Sequence, residues 1–375
     1  MDPLPLLQDL IRCPSVTPAE AGALGVLEAA LAPLGFTCTR LRFGEVENLF
    51  ARRGTGGPHF CFAGHTDVVP PGDPAGWSAD PFGAELRGGL VYGRGATDMK
   101  GGIAAWIAAV ARIPQDSPGS LSLLITGDEE GPAINGTVKV LEWMEAHGHR
   151  PDMCLVGEPT SKAVLGDTIK IGRRGSLNAA LTVRGTQGHS AYPQRADNPM
   201  HRLVRVLHRL TAEPLDAGSR WFEPSTLQVT SVDVGNAATN VIPAAAHAKL
   251  NIRFNDLHSS RLLEAHLRSA LEAEEARYDL DLSCSGESFL TQPGPFVEAL
   301  QTATRQATGI EPTLDTGGGT SDARFIARYC PVAELGAVGA TMHKADECTP
   351  VAELRALADL YARVIQALLV PEARA

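Results

Sequence analysis

Five stretches of this 375-residue sequence set a metal-ligating residue type at the end of a strand pattern or in a turn. In Gly64-His65-Thr66-Asp67 the strand period of two puts His65 and Asp67 on one side. The imidazole could ligate zinc with the carboxylate orienting it, or the two could be a buried polar pair closing a strand. Residues 93–102 hold four glycines, which free the backbone for tight geometry just before a helix pattern. Asp98 in that stretch reads either as the helix N-cap or as a carboxylate bridging two metal ions. Gly127-Asp128-Glu129-Glu130-Gly131 directly follows an apolar run. Three consecutive acids repel one another, at a cost that cations among them relieve. That turn is either an exposed acidic loop or a place where one carboxylate binds metal and another handles protons. Glu158, in Gly157-Glu158-Pro159-Thr160, and His343, in residues 342–347, are ordinary turn and loop residues when read alone.

Together His65, Asp98, Glu130, Glu158 and His343 make five nitrogen and oxygen ligands without a thiolate. Two zinc ions sharing one carboxylate need such a set. Each ion takes one histidine, one terminal carboxylate and one oxygen of the bridge, and keeps positions open for water and substrate.

The elements around these stretches are legible. Residues 60–69, 121–126 and 153–156 read as strands, and 103–113 and 138–146 as helices. Such alternation predicts an α/β domain with a mostly parallel mixed sheet, whose ligands gather at the carboxyl ends of strands. The middle of the chain differs. Leu177, Ala179, Leu181 and Val183 alternate with polar or small residues, as do Ala246, Ala248, Leu250, Ile252 and Phe254. Residues 227–234 and 278–284 are further strands, 199–210 a helix, and Ser259 or Ser260 caps another. Strand-helix-strand-strand-helix-strand is the split βαβ pattern. The expectation is a domain of residues 1–175 and 289–375, interrupted by a ferredoxin-like α+β domain of 176–288.

Composition excludes other classes. Lys plus Arg is 33 against 43 for Asp plus Glu, a net charge of -10, with no basic run for a nucleic-acid partner. Seven scattered cysteines without CxxC spacing argue against a disulfide framework or a thiolate zinc site, and fit a reducing cytoplasm. The longest apolar stretch, 103–111, is too short to span a membrane. Asp2 stands where a secretory signal carries a base, so no export signal is read.

The blocks GHTDVVP, GRGATDMKGG, GDEEG and GEPTS, with residues 13–18 at one end and His343-Lys344-Ala345-Asp346-Glu347 at the other, resemble the M20 family of co-catalytic zinc hydrolases. Residues 167–176, Gly188-His189 and the stretch 318–325 point to its desuccinylase branch. The resemblance implies two zinc ions per subunit, with cobalt able to substitute. His65 and Glu158 would hold one, Glu130 and His343 the other, and Asp98 would bridge them. It makes Glu129 the general acid/base and Asp67 the carboxylate beside His65. His189 becomes a donor to the oxyanion in a partner subunit, and Arg173, Asn240, Arg253 and Thr320 contacts to substrate carboxylates. Arg253 also stands on the polar side of its strand alternation, where a solvated arginine fits equally. The implied protein is a homodimer, with the inserted domain serving dimerisation. Its implied reaction hydrolyses the succinyl amide of N-succinyl-LL-2,6-diaminopimelate in lysine and diaminopimelate biosynthesis. Deacetylation of acetylornithine and aminoacylase chemistry share the same metal ligands. A non-catalytic metal-binding module would not need Glu129, which is present.

Overall fold

The computed structural model describes residues 1–369. They pack as two compact units, one of Met1–Ile171, Thr291–Asp315 and residues 321–369, the other of Gly172–Leu290 with Thr316–Thr320.

The first unit is built on an eight-stranded sheet. Its strands lie in the order Thr37–Phe43, Val46–Arg53, Ser120–Thr126, His59–His65, Met153–Val156, Val332–Glu334, Thr168–Lys170, Thr313–Asp315. The first two pairings are antiparallel, the next three parallel, and the last, onto Thr313–Asp315, is parallel again. His59–His65 and Ser120–Thr126 are buried at every residue, as central strands covered on both faces must be. Helix Lys100–Val110 is also buried throughout and lies against Pro3–Ile11, Val351–Leu369 and the sheet. Trp106 on that helix stacks on Phe62 with ring centroids 5.1 Å apart, and Tyr361 meets Phe62 edge-on at 5.5 Å.

Two elements of this unit differ from the expectation by three residues or more. The strand read as 60–69 ends at His65, because beyond it Val68 N–H turns to the Ser15 carbonyl at 2.9 Å and Val16 pairs with Val68. The helix read as 103–113 runs Lys100–Val110. It takes the glycine pair into its first turn because the packing leaves no room for side chains: a Cβ on Gly102 would sit 2.6 Å from the Gly157 carbonyl oxygen. It stops early because Pro114 disfavours helical backbone at Ile113.

The parallel registers pair His65 with Thr126 and Ala63 with Val156, so three strands finish at one edge of the sheet. The segments that leave this edge carry Asp67, Glu129, Glu130 and Glu158. Lower on the same strands, His59 Nδ1–H donates to the Arg150 carbonyl at 3.2 Å, and Nε2 lies 2.8 Å from the Ser122 hydroxyl, which can donate to it when the ring is neutral. Burial, helped by Arg52, lowers its pKa from 6.5 to about 4. A depressed histidine contributes stability that is complete above the unfolded value and is lost as pH falls toward the folded one. The expected loss between pH 6.5 and 4 is about 3 kcal/mol. Urea midpoints of wild type and His59→Gln at pH 7 and pH 4.5 check this; parallel pH dependences would clear His59 of the acid sensitivity.

The second unit is a four-stranded antiparallel sheet, ordered Thr226–Asp233, Ala245–Phe254, Gly175–Arg184, Arg277–Gly286, with helices Pro199–Thr211 and Ser260–Ala273. Chain order is therefore strand-helix-strand-strand-helix-strand. Ala246, Ala248, Leu250, Ile252 and Phe254 face a core shared with Leu177, Leu181, Leu203, Val206, Leu263 and Leu267. Between the two candidate caps the structure selects Ser259, whose hydroxyl oxygen accepts from Leu262 N–H at 3.3 Å.

Candidate metal centre

At the sheet edge the first unit gathers two histidines and a ring of acids. Asp98 lies between the histidines, with Oδ1 3.3 Å from His65 Nε2 and Oδ2 3.2 Å from His343 Nε2. His343 Nε2 also reaches Glu130 Oε1 at 2.7 Å, and His65 Nε2 lies 3.7 Å from Glu158 Oε1. Two groupings have all their ligand atoms within 4.8 Å of one another: His65, Asp98, Glu130, and His65, Glu129, Glu158. Glu129, expected as a proton carrier, thus stands directly beside the candidate ligands.

Asp98 is not the helix cap. Met99 occupies that position without a side-chain cap, and both Asp98 oxygens face imidazoles instead. Nor is the acidic turn an exposed loop. Asp128 is buried and accepts from Ile134 N–H at 2.8 Å and Asn135 N–H at 2.9 Å, which fixes the loop, while Glu129 and Glu130 are half-buried. Asp67 is beyond the strand yet beside His65, with Oδ1 3.6 Å from Nδ1. Its two oxygens accept from the N–H groups of Glu129 at 3.3 Å and Glu130 at 3.0 Å. Asp67 therefore holds the acidic turn as well as flanking the histidine.

The tautomer of His65 follows from one bond. Nδ1 is 2.8 Å from the Asp67 carbonyl oxygen, which can only accept, so Nδ1 carries the proton. Nε2, on the side of Asp98 and Glu158, is the nitrogen available to a metal. This is the arrangement that orients a histidine toward a metal.

The electrostatics show a surplus of negative charge. Burial pushes Glu129 up to about 8, with Asp322, Glu130 and Asp98 adding to it and His65 opposing. Burial likewise raises Glu158 well above the carboxylate range, and Asp67 to about 6. For Asp98 burial pulls upward too, but hydrogen bonds from His343 and His65 outweigh it and hold the carboxyl below its usual value. Burial would lower His65, yet Asp98, Glu158, Glu129 and Asp67 keep it well above the ordinary imidazole. His343 is pushed up to about 10 by its bonds to Asp98 and Glu130. Acids that resist ionising beside imidazoles that cling to protons mark a cluster short of positive charge. Oxygen and imidazole donors without thiolate suit a pair of divalent cations, so the residues present fit the implied metals.

The remaining expected residues belong to the second unit. His189 is exposed, on a short strand whose partner residue is Val241, and its Nδ1 accepts from Ala191 N–H at 3.0 Å. Asn240 follows nearby, its carbonyl accepting from Ser190 N–H at 2.9 Å. Arg173 donates to the carbonyl of Gly319 at 2.8 Å, directly before Thr320. Arg253 is half-buried, opposite Ser176 and Thr226 in the sheet. One residue that sequence reasoning gave no role is Glu347, buried beside the Asp98 backbone. Its partners there are mostly backbone N–H groups, which leave no mark in a single sequence.

With fold and site in view, comparison with known proteins places the chain in a class: it belongs to peptidase family M20/M25/M40, whose model matches residues 61–367. The chain is 62% identical over 373 residues to a succinyl-diaminopimelate desuccinylase of Gluconacetobacter diazotrophicus, covering 98% of this chain and 97% of that protein. A succinyl-diaminopimelate desuccinylase of Acidiphilium cryptum is 59% identical, with 97% and 98% covered. Among solved structures, the aminopeptidase PepT from Bacillus cereus superposes with a TM-score of 0.78 at 19% identity, covering 98% of each chain. That likeness concerns the fold. Among the described residues no helix is long and apolar enough to cross a membrane.

Proposed function

We propose that this chain is a metal-dependent succinyl-diaminopimelate desuccinylase. It hydrolyses N-succinyl-LL-2,6-diaminopimelate to succinate and LL-2,6-diaminopimelate, a step of lysine and diaminopimelate biosynthesis. The chemistry rests on one observation above all: a single carboxylate, Asp98, meets two histidines with its opposite oxygens. The substrate rests on the name carried by relatives of 62% and 59% identity.

In this reading His65 with Glu158 and Glu130 with His343 would hold two zinc ions, with Asp98 shared between the two sets, and cobalt could replace them. The chemistry the ions would supply when bound is Lewis acidity toward the amide carbonyl and toward a water, whose pKa would fall from about 16 toward roughly 7. Glu129 takes a proton from the attacking water and delivers it to the leaving amine. Its place beside the candidate ligands His65 and Glu158 suits it to carry that proton between the two steps. Asp67 keeps Nε2 of His65 directed at the site through its carbonyl and steadies Glu129 through its carboxylate.

His189 is the proposed donor to the oxyanion of a partner subunit, for which one lost donor typically costs about 3 kcal/mol. The guanidinium groups of Arg173 and Arg253, with Asn240 and Thr320, take the substrate carboxylates. The protein works as a cytoplasmic homodimer through its second unit. Parallel assay of N-succinyl-LL-2,6-diaminopimelate and N-acetylornithine tests the substrate. A clear preference for the succinyl compound is expected in kcat/KM, abolished by chelator and restored by zinc. A preference for acetylornithine would transfer the chain to deacetylase chemistry with the metal centre intact.

A further inference from the structure

We propose that Glu347 is a positioning residue for the metal centre: its carboxylate locks the loop that carries His343 to the loop that carries Asp98, and so sets the site those two share with Glu130. The inference rests on the two-metal reading above.

Glu347 is fully buried, and both of its oxygens are used. Oε1 accepts from the N–H groups of Thr97 at 2.9 Å and Asp98 at 3.1 Å. Oε2 accepts from Gly95 N–H at 3.1 Å and from the Arg94 guanidinium at 2.8 Å. Each of these four donors lies in residues 94–98. Further bonds run between the same two loops. Gly93 N–H donates to the Glu347 carbonyl at 2.9 Å, the Thr97 hydroxyl to the Cys348 carbonyl at 3.0 Å, and Arg94 to the Lys344 carbonyl at 3.1 Å.

His343 needs such an anchor. Its side chain is 49% exposed, against 1% for His65, and its φ of 61° is a conformation that a residue with a Cβ does not favour. Neither burial nor backbone preference holds it near Asp98 and Glu130. His65, by contrast, ends a central strand and is fixed by its own bond to the Asp67 carbonyl. Loosening Glu347 therefore acts unequally on the two metals. A buried carboxylate gathering four donors is replaced in Glu347→Gln by an amide whose NH2 confronts N–H groups.

The test is dialysis of the purified zinc-loaded protein against a graded chelator series, with zinc per chain counted at each step. The Gln variant is expected to release one ion at about 10- to 100-fold weaker chelation than wild type and to keep the other. Its circular dichroism should stay near wild type, while the broken buried pair with Arg94 lowers its unfolding midpoint after full chelation. Glu347→Asp, which keeps the charge on a shorter arm, should fall between the two. Retention of both ions at wild-type strength overturns the proposal. So does parallel release of both ions, the mark of a merely structural role. If the Gln variant does not fold, the Asp variant decides: selective release supports the proposal, and release of both or neither overturns it. A wild type holding fewer than two zinc ions defeats the two-metal reading and the inference with it, and wild type alone reveals that case.

Discussion

Glu129→Gln is expected to lower kcat by roughly 10³-fold, about 4 kcal/mol of barrier, while zinc content and KM change little. The substitution keeps the shape of the side chain and removes only its ability to take and return a proton. Its backbone N–H, held by Asp67 at 3.3 Å, is untouched, so the acidic turn should stay in place. A second result follows from linkage. Burial raises the Glu129 carboxyl from 4.5 to about 8, and a group whose folded pKa is raised contributes stability below its unfolded value that is lost as pH rises through the folded one. The chelated wild type should therefore weaken between pH 4.5 and 8, and the Gln variant should weaken less over that window. Steady-state kinetics with metal analysis checks the first effect, and unfolding midpoints of the chelated proteins across that range check the second. Activity within tenfold of wild type would remove Glu129 from the proton-transfer role.

Asp98→Ala is the second large effect. One carboxylate faces both histidines, so its loss is expected to drop bound zinc from two ions to one or fewer per chain and to reduce turnover by more than about 10³-fold. Mutation of a terminal ligand predicts a milder outcome, one ion lost and the other kept, and Glu158→Ala gives that comparison. Asp98 also offsets the charge of a buried imidazole. With it gone, His65 keeps Asp67 3.6 Å from Nδ1 and Glu158 3.7 Å from Nε2, and its pKa should fall toward the ordinary histidine value. Zinc per chain by atomic absorption, read with histidine proton resonances, measures both. Two zinc ions retained by Asp98→Ala would sink the bridge.

Much of the site was readable because it obeys a rule of sheet architecture. Central strands of a covered sheet are unbroken apolar runs, and parallel ones end at a common edge, so a His or acid just past such a run is a ligand candidate. His65, Glu130 and Glu158 all follow that rule, and the structure sets their strands in register. The alternating pattern of Ala246 through Phe254 was equally plain, because a half-buried strand must repeat every second residue. Residue type and spacing left Asp98 open, and only the family resemblance implied the bridge. A helix cap and a bridging ligand call for the same residue type just before a helix, and only the folded structure shows the carboxylate turned toward the histidines.

What the sequence by itself determined, then, is the set of donor types, the strands that end beside them and the division into an α/β sheet and a split βαβ fold. These are local properties, written in residue type and period. Tertiary structure alone decided that Asp67 grips the acidic turn and that Glu347 underlies the Asp98 loop, and it brings His343 within reach of Glu130, as the family resemblance implied. Such contacts join residues far apart along the chain, largely through backbone N–H groups that every non-proline residue carries. No spacing rule can therefore point to them before the chain has folded.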